Sequence, residues 1–125
     1  MDSNCRFLFV YGTLRKGSNH PMSDFLAAHA RFVACGSTKG RILDLGSYPG
    51  VVEAESPHEW VNGDVFELID AESTLAALDR YEGCDRVNPL YERRQTLVTL
   101  STGVELAAWY YYYCGQKCQP DAQAR

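Results

Sequence analysis

Apolar positions along the chain fall into two periods. Arg6 to Tyr11 (RFLFVY) is an apolar, β-rich run ending at Gly12, which reads as a buried strand. Gly12 to His20 (GTLRKGSNH) is rich in turn-forming residues. Pro21 suits a first helical position, and Phe25, Leu26 and His29 follow at helical spacing, so a short helix is expected over Pro21 to Ala30. Arg31 to Thr38 and Lys39 to Leu45 read as strands interrupted by Gly36 and Gly40. Gly46 to Gly50 is a turn, Val51 to Ala54 resumes a strand, and Glu55 to Glu59 is a polar loop. In Trp60 to Ile69, Asn62-Gly63 is a turn signal, so the firmer strand is Asp64 to Ile69. Asp70 is a good N-cap for the helix-forming stretch Ala71 to Arg80. Tyr91 to Leu100 and Val104 to Tyr113 are two strands joined by Ser101-Thr102-Gly103, a hairpin. About six strands with two short helices predict an α+β chain: a small, mainly antiparallel β-barrel or curled sheet flanked by short helices.

With 125 residues, one domain and one core are expected, the core over about residues 6–113 with a fraying tail after Cys114. Hydrophobic residues at 46% and charged residues at 22% are those of a globular chain, which argues against disorder. The net charge of −4 carries no basic cluster beyond Arg93-Arg94, so nucleic acid and anionic membrane are not expected partners. The start is polar, and Phe7 to Val10 is too short for a signal segment or a membrane span. A cytoplasmic location follows as an expectation, in keeping with five cysteines, an odd number that fits free thiols. Cys114 and Cys118 are spaced C-x3-C, but His20, His29 and His58 are scattered and no second ligand pair stands near, so no metal site is expected.

Three places carry candidate chemistry. The first is Tyr11-Gly12-Thr13-Leu14, where a buried strand opens into a glycine-bearing turn. Such a turn can aim consecutive backbone N–H groups into one hollow and bind an anion; an ordinary strand exit has the same composition. The second is Glu82. Leu75, Leu78 and Glu82 lie at i, i+3 and i+7, so they share a face if the helix continues past Arg80. A carboxyl at the end of an apolar stripe is partly desolvated and its pKa rises, which suits proton transfer. If the helix stops at Arg80, Glu82 is a loop residue. The third is Cys84, a nucleophile only if a base stands beside it; no histidine is near in sequence, and a packed thiol is the simpler reading. In Tyr110 to Tyr113 alternate rings face opposite sides of a strand, so two are expected in the core and two on a cavity or outer surface.

The chain resembles the γ-glutamylcyclotransferase superfamily, which includes the γ-glutamylamine cyclotransferases and the AIG2-like plant proteins. FVYGTLRKG (Phe9 to Gly17), SYPGVV (Ser47 to Val52), LDRYEGC (Leu78 to Cys84) and LYERRQTLV (Leu90 to Val98) match in order and span most of residues 7–113. The resemblance implies a small β-barrel flanked by helices with a cavity at one end. It also implies that Tyr11, Gly12, Thr13 and Leu14 bind a γ-glutamyl moiety largely through backbone groups, that Glu82 is the general acid/base, and that Tyr91 stands near the pocket. Asp85 to Pro89 is a segment in which family members vary. The implied reaction converts a γ-glutamyl amide to 5-oxoproline and a free amine, without cofactor or metal. A binding module holding the same ligand without turning it over is the main alternative, and a Cys84-dependent amidohydrolase a further one. The sequence leaves the substrate and the oligomeric state open.

Overall fold

The computed structural model describes residues 5–11, 21–44, 49–84 and 89–114. The loop at 12–20, the turn at 45–48, the segment 85–88 and the tail from 115 lie outside them. Strands are β1 (Phe7–Val10), β2 (Ala30–Lys39), β3 (Arg41–Asp44), β4 (Pro49–Val52), β5 (Trp60–Leu68), β6 (Tyr91–Leu100) and β7 (Glu105–Tyr113); helices are α1 (Pro21–His29) and α2 (Ala71–Glu82). The strands form one sheet in the order β1-β5-β2-β6-β7-β4-β3, and a further β1–β7 pairing closes the first five into a barrel. The pairings β1–β5, β2–β5, β2–β6, β3–β4 and β6–β7 are antiparallel. The closing pair β1–β7 and the β4–β7 pair are parallel. The α+β barrel expected from the pattern is therefore the architecture observed, with the closing seam parallel.

β1 is apolar throughout because both its faces are covered. Phe9 packs on one side with Val51, Val61, Val65, Val98, Leu100 and Ala108. Leu8 and Val10 point the other way, to a second cluster with Leu26 of α1, Leu75 and Leu78 of α2, and Tyr111 of β7. Side chains alternate across a strand, so one short strand serves both cores. Leu8, Leu26 and Leu78 are fully buried; truncating any of them to Ala removes about 2–5 kcal/mol.

The pattern misleads at Asn62-Gly63. No turn forms there: Trp60–Leu68 is one strand, paired with β2 from Lys39↔Trp60 to Ala30↔Leu68. Gly63 is required for a different reason. A Cβ at this position would run into the Val10 carbonyl and come 2.7 Å from the Phe9 ring, so β1 can lie across β5 only over a bare backbone. The β6–β7 hairpin is as expected, with Leu100 N–H donating to Val104 O at 2.8 Å and Gly103 N–H to Leu100 O at 2.9 Å. The helix expected from Pro21 forms and ends at His29, one residue before the expected end, where β2 begins.

α2 is built as its sequence suggests. The Asp70 carboxylate accepts from Ser73 N–H at 3.4 Å at its start. Its end lies at Glu82, two residues past Arg80. Gly83, at φ 77°, adopts the left-handed conformation, with Gly83 N–H donating to Arg80 O and Cys84 N–H to Asp79 O at 3.1 and 2.9 Å. This glycine ending satisfies the last carbonyls and sets where the helix stops. Among the described residues no helix is long and apolar enough to cross a membrane.

Candidate active site

The topology brings Tyr11, Glu82 and Tyr91, the candidates among the described residues, to one rim of the barrel. Because β1 and β7 run parallel, their C-terminal ends lie together, and antiparallel β6 begins there, with Tyr91 opposite Tyr113. Tyr11 leaves β1 at this rim and α2 delivers Glu82 to it. The helix does continue past Arg80, so Glu82 shares a helix with Leu75 and Leu78, which anchor that helix in the core.

Glu82 is half-buried. Burial pushes its carboxyl up from 4.5 to about 7, and the neighbouring Asp79 carboxylate pushes in the same direction. Its place at the negative end of α2 has the same sign. It lies close enough to Tyr11 for its charge to act on that phenol. Burial, then Tyr91, then Glu82 drive the Tyr11 hydroxyl far above its ordinary value, so it stays protonated and serves as a donor.

That hydroxyl is already committed to backbone. It donates to Tyr111 O at 2.5 Å and accepts from Val51 N–H at 3.3 Å. Tyr11 thus pins the end of β1 to β7 and β4, and what it can offer a ligand is main chain. Gly12, Thr13 and Leu14, which continue from it, lie outside the described residues. Tyr91 packs against the core that holds α2, and its ring meets Tyr113 edge-on at 5.7 Å. Tyr91 and Glu82 thus both lie near enough to Tyr11 for their charges to act on it.

The sequence reading passed over Asp79. Its Oδ1 accepts from Arg93 Nε at 2.8 Å and from the Tyr111 hydroxyl at 2.7 Å. Arg93 in turn lies over the Trp109 ring, 4.3 Å from its centroid. The one available signal was Asp79 standing beside Leu78 and three residues before Glu82, a polar residue on a turn that also faces the core.

The tyrosine run divides differently from the expected two and two: Tyr111, Tyr112 and Tyr113 are all buried and Tyr110 is half-buried. Tyr110 and Tyr112 meet each other edge-on, with Arg94 stacked on Tyr112, while Tyr111 turns to Asp79. Cys84 is half-buried against the helix core, and burial together with Asp79 and Glu82 pushes its thiol up to about 11. A thiol so held is not a thiolate near neutral pH, which counts against a nucleophilic role. Among the described residues no three His, Cys, Asp or Glu side chains come together to hold a metal ion.

Comparison with known proteins gives this rim a context. A Vibrio cholerae protein named as a candidate gamma-glutamylcyclotransferase is 40% identical over 109 residues, covering 85% of this chain and 80% of that protein. The gamma-L-glutamyl-butirosin B gamma-glutamyl cyclotransferase of Niallia circulans is 32% identical, over 85% of this chain and 65% of its own length. The crystal structure of an AIG2-like protein from Mus musculus superposes with a TM-score of 0.71 at 24% identity, over 88% of this chain and 78% of that one, which shows a shared fold. Residues 8–125 match the family described as gamma-glutamyl cyclotransferase, AIG2-like, and the chain belongs to that family.

Proposed function

We propose that this protein cyclises a γ-glutamyl amide to 5-oxoproline and releases the amine, with Glu82 moving the protons. The observation that carries the reading is the Glu82 carboxyl, half-buried at the barrel rim beside Tyr11 and held at about 7. A carboxyl balanced near neutrality takes a proton and returns it with comparable ease. Two similar proteins support the reaction class: the Niallia circulans protein is named for a γ-glutamyl-butirosin substrate, and a Danio rerio relative is named gamma-glutamylaminecyclotransferase A.

The substrate carries an α-ammonium and a γ-amide on one short chain. Glu82 as carboxylate takes a proton from the ammonium. The freed amine attacks the γ-carbonyl carbon, closing a five-membered ring and placing negative charge on the oxygen. As the exocyclic C–N bond breaks, the protonated Glu82 delivers a proton to the departing nitrogen. Over the full reaction two protons leave the α-nitrogen and two reach the released amine, so the carboxyl ends as it began. Holding the folded chain in reach contributes up to about 7–11 kcal/mol in well-oriented intramolecular reactions. The main chain of Gly12, Thr13 and Leu14, which extends from the pinned Tyr11, is the proposed binding element for the glutamyl carboxylate or the oxyanion. Tyr91 is the proposed aromatic wall.

The test is Glu82→Gln. Release of 5-oxoproline from a panel of γ-glutamyl amino acids and γ-glutamylamines should fall by about 10²–10⁴-fold, with circular dichroism unchanged. Turnover at the wild-type rate would overturn the proposal, as would tight binding of these compounds by the wild type with no 5-oxoproline formed.

A further inference from the structure

Glu82 sits on the last turn of α2, where a helix end ordinarily frays. Here that turn is tied down. Asp79, one turn earlier, accepts from Arg93 Nε on β6 at 2.8 Å and from the Tyr111 hydroxyl on β7 at 2.7 Å, both through one carboxylate oxygen. Its own carbonyl receives Cys84 N–H at 2.9 Å, just beyond Glu82. Arg93 is held from its far side by the Trp109 ring, and Trp109 Nε1 donates to Cys5 O at 2.9 Å. Asp79 and Arg93 are each only a quarter exposed, so their bond is stronger than a surface pair.

We propose that Asp79 is the positioning residue of the site: by gripping Arg93 and Tyr111 together it fixes the last turn of α2, and with it the Glu82 carboxyl, against the barrel rim. The inference rests on the role proposed above for Glu82. A surface ion pair would leave Glu82 free to swing; a two-stranded anchor one turn away does not. Tyr111 links the two sides of the site, since its hydroxyl holds Asp79 while its carbonyl holds the Tyr11 hydroxyl.

The anchor also has an electrical consequence. The charged and titratable groups linked to Glu82 are Asp79 on its own helix, Cys84 just past it and Tyr11 on β1; Tyr91 on β6 acts on Tyr11, and Arg93 on β6 and Tyr111 on β7 hold Asp79. Tyr11, Tyr111 and Cys84, all pushed up by burial, stay neutral near pH 7. Asp79 is therefore the neighbouring charge that raises the proton affinity of Glu82.

Two substitutions at one position separate geometry from charge. Asp79→Asn keeps an oxygen that can accept from Arg93 and Tyr111 but removes the anion. Asp79→Ala removes both. Steady-state 5-oxoproline release across pH and the carboxyl titration of Glu82 by carbon-13 NMR are measured on each. Asp79→Asn should move both the acidic limb of the rate and the Glu82 midpoint downward, by about 0.2–0.4 pH unit. Asp79→Ala should lower kcat about 10–100-fold with KM within about threefold, as misplacement of a reacting group does, and Asp79→Asn should recover most of that loss. Tyr111→Phe, which deletes one of the two grips and keeps the ring, should lower kcat part of the way and serves if the Ala variant does not fold. Variants that lose only thermal stability, with kcat, acidic limb and Glu82 midpoint as in wild type, would overturn the inference. Glu82→Gln with undiminished turnover would instead overturn the Glu82 reading, while the NMR midpoint would still report on Asp79.

Discussion

A carboxyl buried away from water is a burden on the fold, and the burden has a measurable pH dependence. In the unfolded chain Glu82 ionises at about 4.5, whereas in the folded protein burial and Asp79 hold it at about 7. Below 4.5 it is protonated in both states and contributes nothing. Between 4.5 and 7 the unfolded state loses a proton that the folded state keeps, so stability falls by about 1.4 kcal/mol per pH unit. Above 7 both states are ionised and the loss levels off at about 3 kcal/mol. Glu82→Gln removes the ionisation and keeps the shape. The variant should match wild type near pH 4, gain steadily to pH 7, and stay about 3 kcal/mol more stable at pH 8. For a chain of 125 residues that corresponds to a Tm about 10 °C higher. Urea or thermal denaturation of both proteins from pH 4 to 8.5 measures it, and the other titrating groups largely cancel in the difference. A difference that does not change with pH, or one that grows toward acid, would refute the claim that Glu82 is desolvated. An inactive variant that is more stable at pH 8 is the signature of a site residue that the fold tolerates at a cost.

The wild-type rate kcat/KM should carry an acidic limb near pH 7, since the carboxylate starts the reaction and Glu82 is pushed up to about 7; a limb near 4.5 would contradict the burial argument. Cys84→Ala should leave 5-oxoproline release within about threefold of wild type, because a thiol pushed up to about 11 is not a nucleophile near neutrality; loss of activity together with loss of alkylation-sensitive turnover would restore the cysteine mechanism. Gly63→Ala should destabilise by about 3 kcal/mol by chemical denaturation, as the added methyl meets the Val10 carbonyl and the Phe9 ring; an unchanged midpoint would mean that β1 can move away from β5.

What could be read in the sequence was local and strongly encoded. Asp70 as a cap, the Leu75 and Leu78 stripe, the Pro21 helix start and the Ser101-Thr102-Gly103 hairpin each depend on residues within one turn of each other, and each is found. Glu82 was legible as a candidate for the same reason, though not the helix end that decided its setting, because Gly83 serves equally as a helix stop and as a loop residue. The misses depend on distant partners. Asn62-Gly63 reads as a turn until Phe9 and Val10, some fifty residues earlier, are seen lying across it. Asp79 reads as a solvated helix residue until Arg93 and Tyr111 arrive from two other strands. Tyr111 is one of four consecutive tyrosines, and no local pattern singles out the one whose hydroxyl and carbonyl both face the site.

The parallel seam between β1 and β7 joins the first described strand to the last. The ring stays open until these two strands, far apart in sequence, meet, and such long-range closure makes for slow folding. Tyr111 is carried on that final strand. Until the seam closes, the Tyr11 hydroxyl would have no Tyr111 carbonyl to hold it. A molecule whose seam is still open would therefore lack the tie between the Tyr11 hydroxyl and β7, so the rim that carries Glu82 is completed by barrel closure itself.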